Sequence, residues 1–139
     1  MKRKAIKKHL PKDWELDNLQ RKYIYLISGG YCKRCKKYVG VEFIEAAHMY
    51  KRRRKTVRWN IGNVYPLCKN DPRTGKVGCH KIVDDDPFEL TSFMYEVMSR
   101  EEVAELQRLA NLTLKDYPID RNEIKNYYKE QIVILERGE

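Results

Sequence analysis

All four cysteines and two of the three histidines of this 139-residue chain fall between Cys32 and His80. Cys32 and Cys35 stand at C-x-x-C spacing, which lets two thiolates converge on one ion, and Cys68 and Cys79 supply a second pair. Two pairs match the number and grouping of a tetrahedral zinc site, where thiolate ligands suit a borderline-soft ion. A closed shell of four leaves no position for substrate, so this zinc would be structural. Ten residues separate Cys68 from Cys79 where two to four are usual, and His80 is the alternative to Cys79 as fourth ligand. A redox C-x-x-C is the competing reading, but it leaves Cys68 and Cys79 without a task.

Charge points to a partner. The net charge is +9, yet residues 1–81 hold 22 Lys and Arg against 6 Asp and Glu, whereas residues 82–139 hold 7 against 14. The basic part interleaves Tyr31, Tyr38, Tyr50, Trp59 and Tyr65, the footprint of a surface that meets nucleic-acid phosphates with release of counterions. Its densest run, Lys51, Arg52, Arg53, Arg54 and Lys55 with Arg58, lies between His48 and His80 and is assigned to phosphate positioning, which carries no base-sequence information.

These residues need elements to hold them. Residues 1–12 form a basic arm that includes His9, a polar tail residue. Asp13 is the expected N-cap of a helix in which Trp14, Leu16, Leu19, Tyr23, Ile24 and Ile27 recur at helical spacing, until Gly29 and Gly30 stop it. Val39, Val41, Phe43 and Ile44 predict a strand or hairpin over residues 38–50, with Gly40 as a turn signal and His48 near a strand end. Residues 51–58 are too charged for a buried strand and suit an exposed loop; Asn60–Asn63 is turn chemistry, and Val64–Leu67 returns as a second strand. After His80 the pattern is helical. Pro87 starts one helix with Phe88, Leu90, Phe93, Met94 and Val97, Ser99 and Glu102 form a capping box opening a second, and Asp120 opens a third carrying Ile124, Tyr127, Tyr128, Ile132 and Leu135.

The C-x-x-C, Ala47-His48 at a strand end, Asn63 before an apolar strand, and Cys68 with Cys79-His80 opening a helix together resemble the HNH nucleases of the ββα-metal fold, over about residues 30–85. The stretches Ala46–Tyr50 and Asn63–Cys68, with a helical tail containing Ile124–Lys129, look most like the phage recombination nucleases of the Rap (NinG) type. The resemblance implies that His48 is the general base toward the attacking water, that Asn63 orients the loop bearing His48, and that His80 ligates a catalytic Mg²⁺ or Mn²⁺ at the scissile phosphate. Many HNH sites place Asp or His directly before the base, where this chain has Ala47. Asp84, four residues after His80 and so on the same helix face, is the preferred substitute ligand, at a spacing also seen in colicin-type members; Glu45 is the other.

The sequence thus predicts an α+β chain: the basic arm 1–12, a zinc-stapled HNH core over 13–86, and an acidic helical extension over 87–139 packed on it. Its expected activity is metal-dependent endonucleolytic cleavage of duplex or branched DNA, in phage recombination or packaging. The alternative is a catalytically inactive zinc-stapled nucleic-acid-binding module or adaptor. The acidic half would meet a second copy or a phage protein. The N-terminus lacks an apolar run and no window approaches 18 uncharged apolar residues, so a cytoplasmic protein without a membrane span is expected.

Overall fold

The computed structural model describes residues 9–138, so residues 1–8 of the expected basic arm lie outside the described residues. Five helices surround a two-stranded antiparallel sheet, in the order α1 (Asp13–Ser28), β1 (Ile44–His48), β2 (Val64–Cys68), α2 (Cys79–Asp85), α3 (Pro87–Val97), α4 (Arg100–Ala110) and α5 (Arg121–Glu136). The chain is therefore α+β. No helix among the described residues is long and apolar enough to cross a membrane.

Local chemistry sets the helix ends. Gly29, at φ 55°, gives α1 the left-handed C-cap that residues with a Cβ resist. The Asp86 side chain accepts from the N–H groups of Phe88 and Glu89 with Pro87 in the first turn, Ser99 and Glu102 close a reciprocal capping box on α4, and Asp120 caps α5. Asp13 is not the N-cap of α1. That position is Lys12, without a side-chain cap, and Asp13 instead pairs with Lys55, Arg58 and Arg121.

The apolar stripe of α1 also differs from the periodicity. Trp14 and Ile27 are exposed, and the buried face is Leu16, Asp17, Gln20, Ile24 and Ser28. This face meets both the sheet and α5, and two polar groups ride on it because each has partners waiting there. Strand structure begins later than expected: residues 41–43 form a single 3₁₀ turn, and β1 starts only at Ile44.

Strand pairing runs from Ile44 opposite Cys68 to His48 opposite Val64. One buried cluster joins Cys32, Ile44, Ala47, Leu67, Cys68, Cys79 and Val83 to Phe93, Met94, Val103, Leu106 and Leu109, so the acidic helices share the core of the hairpin. A second, smaller cluster of Leu16, Trp59 and Tyr128 lies between α1, the loop before β2, and α5.

Candidate metal centre and histidine cleft

The four cysteines converge at one end of the hairpin. Their sulfurs all lie within 4.8 Å of one another, with 4.0 Å between those of Cys35 and Cys68. Four Zn–S bonds at tetrahedral angles require a sulfur separation of roughly 3.8 Å, so the cage fits zinc with little adjustment. Among the described residues no other group of three or more ligand-type side chains is as close.

The wide Cys68–Cys79 spacing is resolved by a local fold. Asp71 and Lys76 bridge across the loop, and Gly78 donates its N–H to Asn70 Oδ1 at 2.8 Å. A Cβ on Gly78 would stand 2.4 Å from the Cys68 carbonyl oxygen, so only glycine lets α2 begin against the end of β2. Cys79, not His80, joins the cage.

Backbone N–H groups point at the sulfurs: those of Cys35 and Cys68 donate to Cys32 Sγ at 3.5 and 3.4 Å, and that of Cys79 to Cys68 Sγ at 3.3 Å. Burial raises the Cys32 thiol, yet the surrounding N–H donors outweigh it and hold its pKa below the ordinary value. Burial and then the neighbouring thiolates push Cys68 up to about 12, and Cys79 rises for the same reasons. Four sulfurs this close ionise together only around a cation.

The second feature is a cleft of about 490 Å³ between α1, β1 and α2, whose walls include Gln20, Glu45, His48, Lys51, His80 and Asp84. His48 comes from the last position of β1 and His80 from the first turn of α2. His80 stands between two carboxylates, with Nδ1 3.4 Å from Glu45 Oε1 and Nε2 3.4 Å from Asp84 Oδ2. Glu45 and Asp84 thus flank His80 from opposite sides, and Lys51 places its ammonium on Asp84. Ala47 is fully buried in the main core, and it is Ala46 that lines the cleft.

Asn63 is fully buried and forms a closed pair with the backbone of Tyr50, its Oδ1 accepting from the N–H at 2.8 Å and its Nδ2 donating to the carbonyl at 3.0 Å. The chain leaving His48 is held there by two hydrogen bonds.

His48 is fixed from behind by a residue that motif spacing did not single out. Tyr128 donates its O–H to the Trp59 carbonyl at 2.7 Å, so its oxygen accepts from Gln20 Nε2 at 3.0 Å. The same amide nitrogen lies 3.3 Å from the Arg58 carbonyl. Gln20 therefore turns its Oε1 to His48 Nε2, 3.1 Å away, an arrangement that favours the tautomer protonated at Nε2, and the Arg58 backbone is a further hydrogen-bond partner of the ring. Burial, reinforced by the charge of Arg52, lowers the His48 pKa to about 4, so the ring is neutral at physiological pH. The available signal was Leu16, Gln20 and Ile24 at i, i+4, i+8, a polar residue in an apolar stripe.

The basic run differs most from expectation. Arg58 is not an exposed loop cation: its side chain is 11% exposed and pairs with Asp17 at 2.6 Å and Asp13 at 3.3 Å. Burial would raise Asp17, but hydrogen bonds from Arg58, Arg52 and Trp59 hold its pKa below the usual carboxylate range. Arg52 also pairs with Asp17, Lys55 with Asp13, and Arg54 donates to the Ala110 carbonyl. Among the described residues Arg53 alone of the six has no such partner.

Comparison with protein-family models, with curated proteins and with solved structures returned no match.

Proposed function

We propose that the chain is an HNH-type endonuclease that hydrolyses DNA phosphodiester bonds, with zinc in the four-cysteine cage and a catalytic divalent ion in the histidine cleft. The observation that carries this reading is the pair of histidines lining one cleft, one from β1 and one from α2: His48 is neutral and backed by Gln20, and His80 is set between two carboxylates. Neutral imidazole with a free lone pair suits removal of a proton from water. Asn63, by holding Tyr50, fixes the direction in which the chain leaves His48, and so supports the base without touching substrate. Lys51, at the cleft wall, is placed to meet a phosphate once its surface ion pair with Asp84 opens, which costs little, and Arg52 stands beside it on Asp17.

The cleft offers a mixed set of donors, His80, Asp84 and Glu45, and the Lys51 ammonium on Asp84 marks where positive charge is already accommodated. An ion held there would stabilise the leaving oxygen as a Lewis acid. A second reading, a nucleic-acid-binding module without cleavage, is favoured by the way Glu45 and Asp84 contact different ring nitrogens of His80, which is not the closed group the cysteines make.

Incubation of supercoiled plasmid and a four-way junction with Mg²⁺ or Mn²⁺ separates the two. The wild type should cut, and His48→Ala should lower the rate on the order of 10²- to 10⁴-fold. Binding without cutting, or equal cutting by His48→Ala, would establish the second reading instead.

A further inference from the structure

The run at residues 51–58 is largely engaged within the fold, and among the described residues a separate group of unpaired cations lies on the knuckle side. Lys33, Lys37, Lys69 and Lys76 are all exposed on the knuckle side of the hairpin, and none forms an ion pair among the described residues. Arg34, Lys36 and Arg73 on the same side pair with Glu89, Glu96 and Asp71.

Aromatic rings stand among these lysines. Tyr31 and Tyr38 are 56% and 66% exposed, with ring centroids 5.2 Å apart in an edge-on arrangement, and a β-bridge joins their backbones. Gly30 backs the pair: a Cβ there would lie 2.6 Å from the Tyr38 ring, so the aromatic is seated directly on backbone. Beside it a groove of about 280 Å³ is lined by Tyr38 and Phe43, with Lys37, Lys69, Arg73 and Lys76 around them. The Arg73 guanidinium lies 4.5 Å over the Phe43 ring, and Lys69 lies 5.6 Å from it. The groove falls just short of the roughly 300–1,000 Å³ typical of small-molecule pockets. It suits a single flat ring with phosphates at its rim.

We propose that this face is a binding site for single-stranded nucleic acid, in which Tyr31 and Tyr38 stack on unpaired bases while Lys33, Lys37, Lys69 and Lys76 follow the backbone. A duplex hides its base faces in the stack and offers only edges to the grooves, so exposed rings seated beside cations match a strand whose bases are free. Fixing the rings on the folded backbone before binding lowers the ordering cost of the contact. β1 carries its knuckle end at Ile44 and its cleft end at His48, four steps of about 3.3 Å. The inference shares with the proposed function the nucleic-acid partner but does not require cleavage.

The test is fluorescence anisotropy on the zinc-loaded full chain, purified without chelator, carrying His48→Ala and measured without added Mg²⁺ or Mn²⁺, with the probe checked for cleavage after each titration. The probes are a labelled single-stranded oligonucleotide and a duplex of the same sequence. Tyr31→Leu with Tyr38→Leu should weaken single-strand binding by about tenfold or more and leave duplex binding nearly unchanged. Replacing Lys33, Lys37, Lys69 and Lys76 by Gln should reduce the slope of log affinity against log salt by roughly 0.7 for each phosphate no longer neutralised. Zinc content and circular dichroism confirm that each variant is folded. Absence of single-strand binding in the parent, unchanged affinity in the tyrosine variant, or equal losses on both probes would each overturn the proposal. Because binding is read on intact probe without added Mg²⁺ or Mn²⁺, a negative nuclease assay leaves this result interpretable.

Discussion

Gln20 makes the behaviour of His48 calculable. Its amide can satisfy Tyr128 and the Arg58 carbonyl only with its nitrogen, so its oxygen is committed to His48 Nε2–H. Gln20→Leu removes that acceptor and lets the ring change tautomer; under the proposed nuclease function, cleavage should fall on the order of 10- to 100-fold in kcat with little change in KM. Imidazole ¹⁵N shifts should show the Nε2–H form in the wild type and a mixture in the variant, and an unchanged spectrum would remove Gln20 from this role. A pH dependence follows from the same burial. His48 titrates near 6.5 in an unfolded chain and at about 4 in the folded one, so the unfolded state binds the extra proton first as pH falls. The stability from burying a neutral ring is complete above about pH 6.5 and is lost progressively toward pH 4, a loss of about 3 kcal/mol. Urea titrations of wild type and His48→Gln across this window should show the steeper fall in the wild type, and the difference between the two isolates His48 because loss of zinc on acidification acts on both. Asp13 and Asp17, whose pKa values are lowered, keep their contribution until the pH drops below the ordinary carboxylate value, so they do not confuse that comparison.

At the scale of elements, the molecule depends on how α1 is tied to the loop between the strands. Asp17 accepts from Arg58 twice, from Arg52 and from the Trp59 indole N–H at 2.9 Å, and it shares the inner face of α1 with Leu16 and Gln20. Asp17→Ala would leave a nearly buried guanidinium and a buried indole N–H without their acceptor, at a cost of roughly 3 kcal/mol. Chemical denaturation should read that loss as a lower midpoint at unchanged slope; a change below about 0.5 kcal/mol would show that Arg58 finds sufficient company in Asp13. This tie was not legible in the sequence. Asp17 and Arg58 are far apart along the chain, and the charge of Arg58 within a basic run looks the same whether it faces solvent or a carboxylate. The hairpin and the helix bounds were legible, because Gly29, Pro87, Ser99 and Asp120 act on their own neighbours. Residues 38–43 misled because β-branched content measures fit to a half-buried pleat, and this stretch curls back on Gly30 instead. At the candidate site, His48, His80, Asp84 and Glu45 could be named from the sequence and do line one cleft, whereas the support of His48 from α1 required the tertiary packing.

On the scale of the whole molecule, the cysteine cage is where separate segments become one body. Cys32 and Cys35 come from the turn after α1, Cys68 from the end of β2 and Cys79 from the start of α2, and the buried cluster that contains three of them extends through Phe93 to Leu109. A domain of this length buries a modest core, and its strands are only five residues each. Metal bound to the folded arrangement and not to the open chain adds its binding free energy to folding. Elemental analysis should therefore find one zinc per chain, and a strong chelator should lower Tm by more than about 10 °C or abolish cooperative melting. Cys35→Ser should move in the same direction while leaving the histidine cleft chemically intact. Because the thiols must lose protons to bind, with Cys68 pushed up to about 12 in the absence of a cation, zinc affinity should fall steeply on acidification and metal uptake should release protons measurable in weak buffer. A chain that melts identically with and without chelator would show that the sulfurs sit close for packing alone, and the segments would then have to be held by the core around Leu67 and Phe93 without the metal.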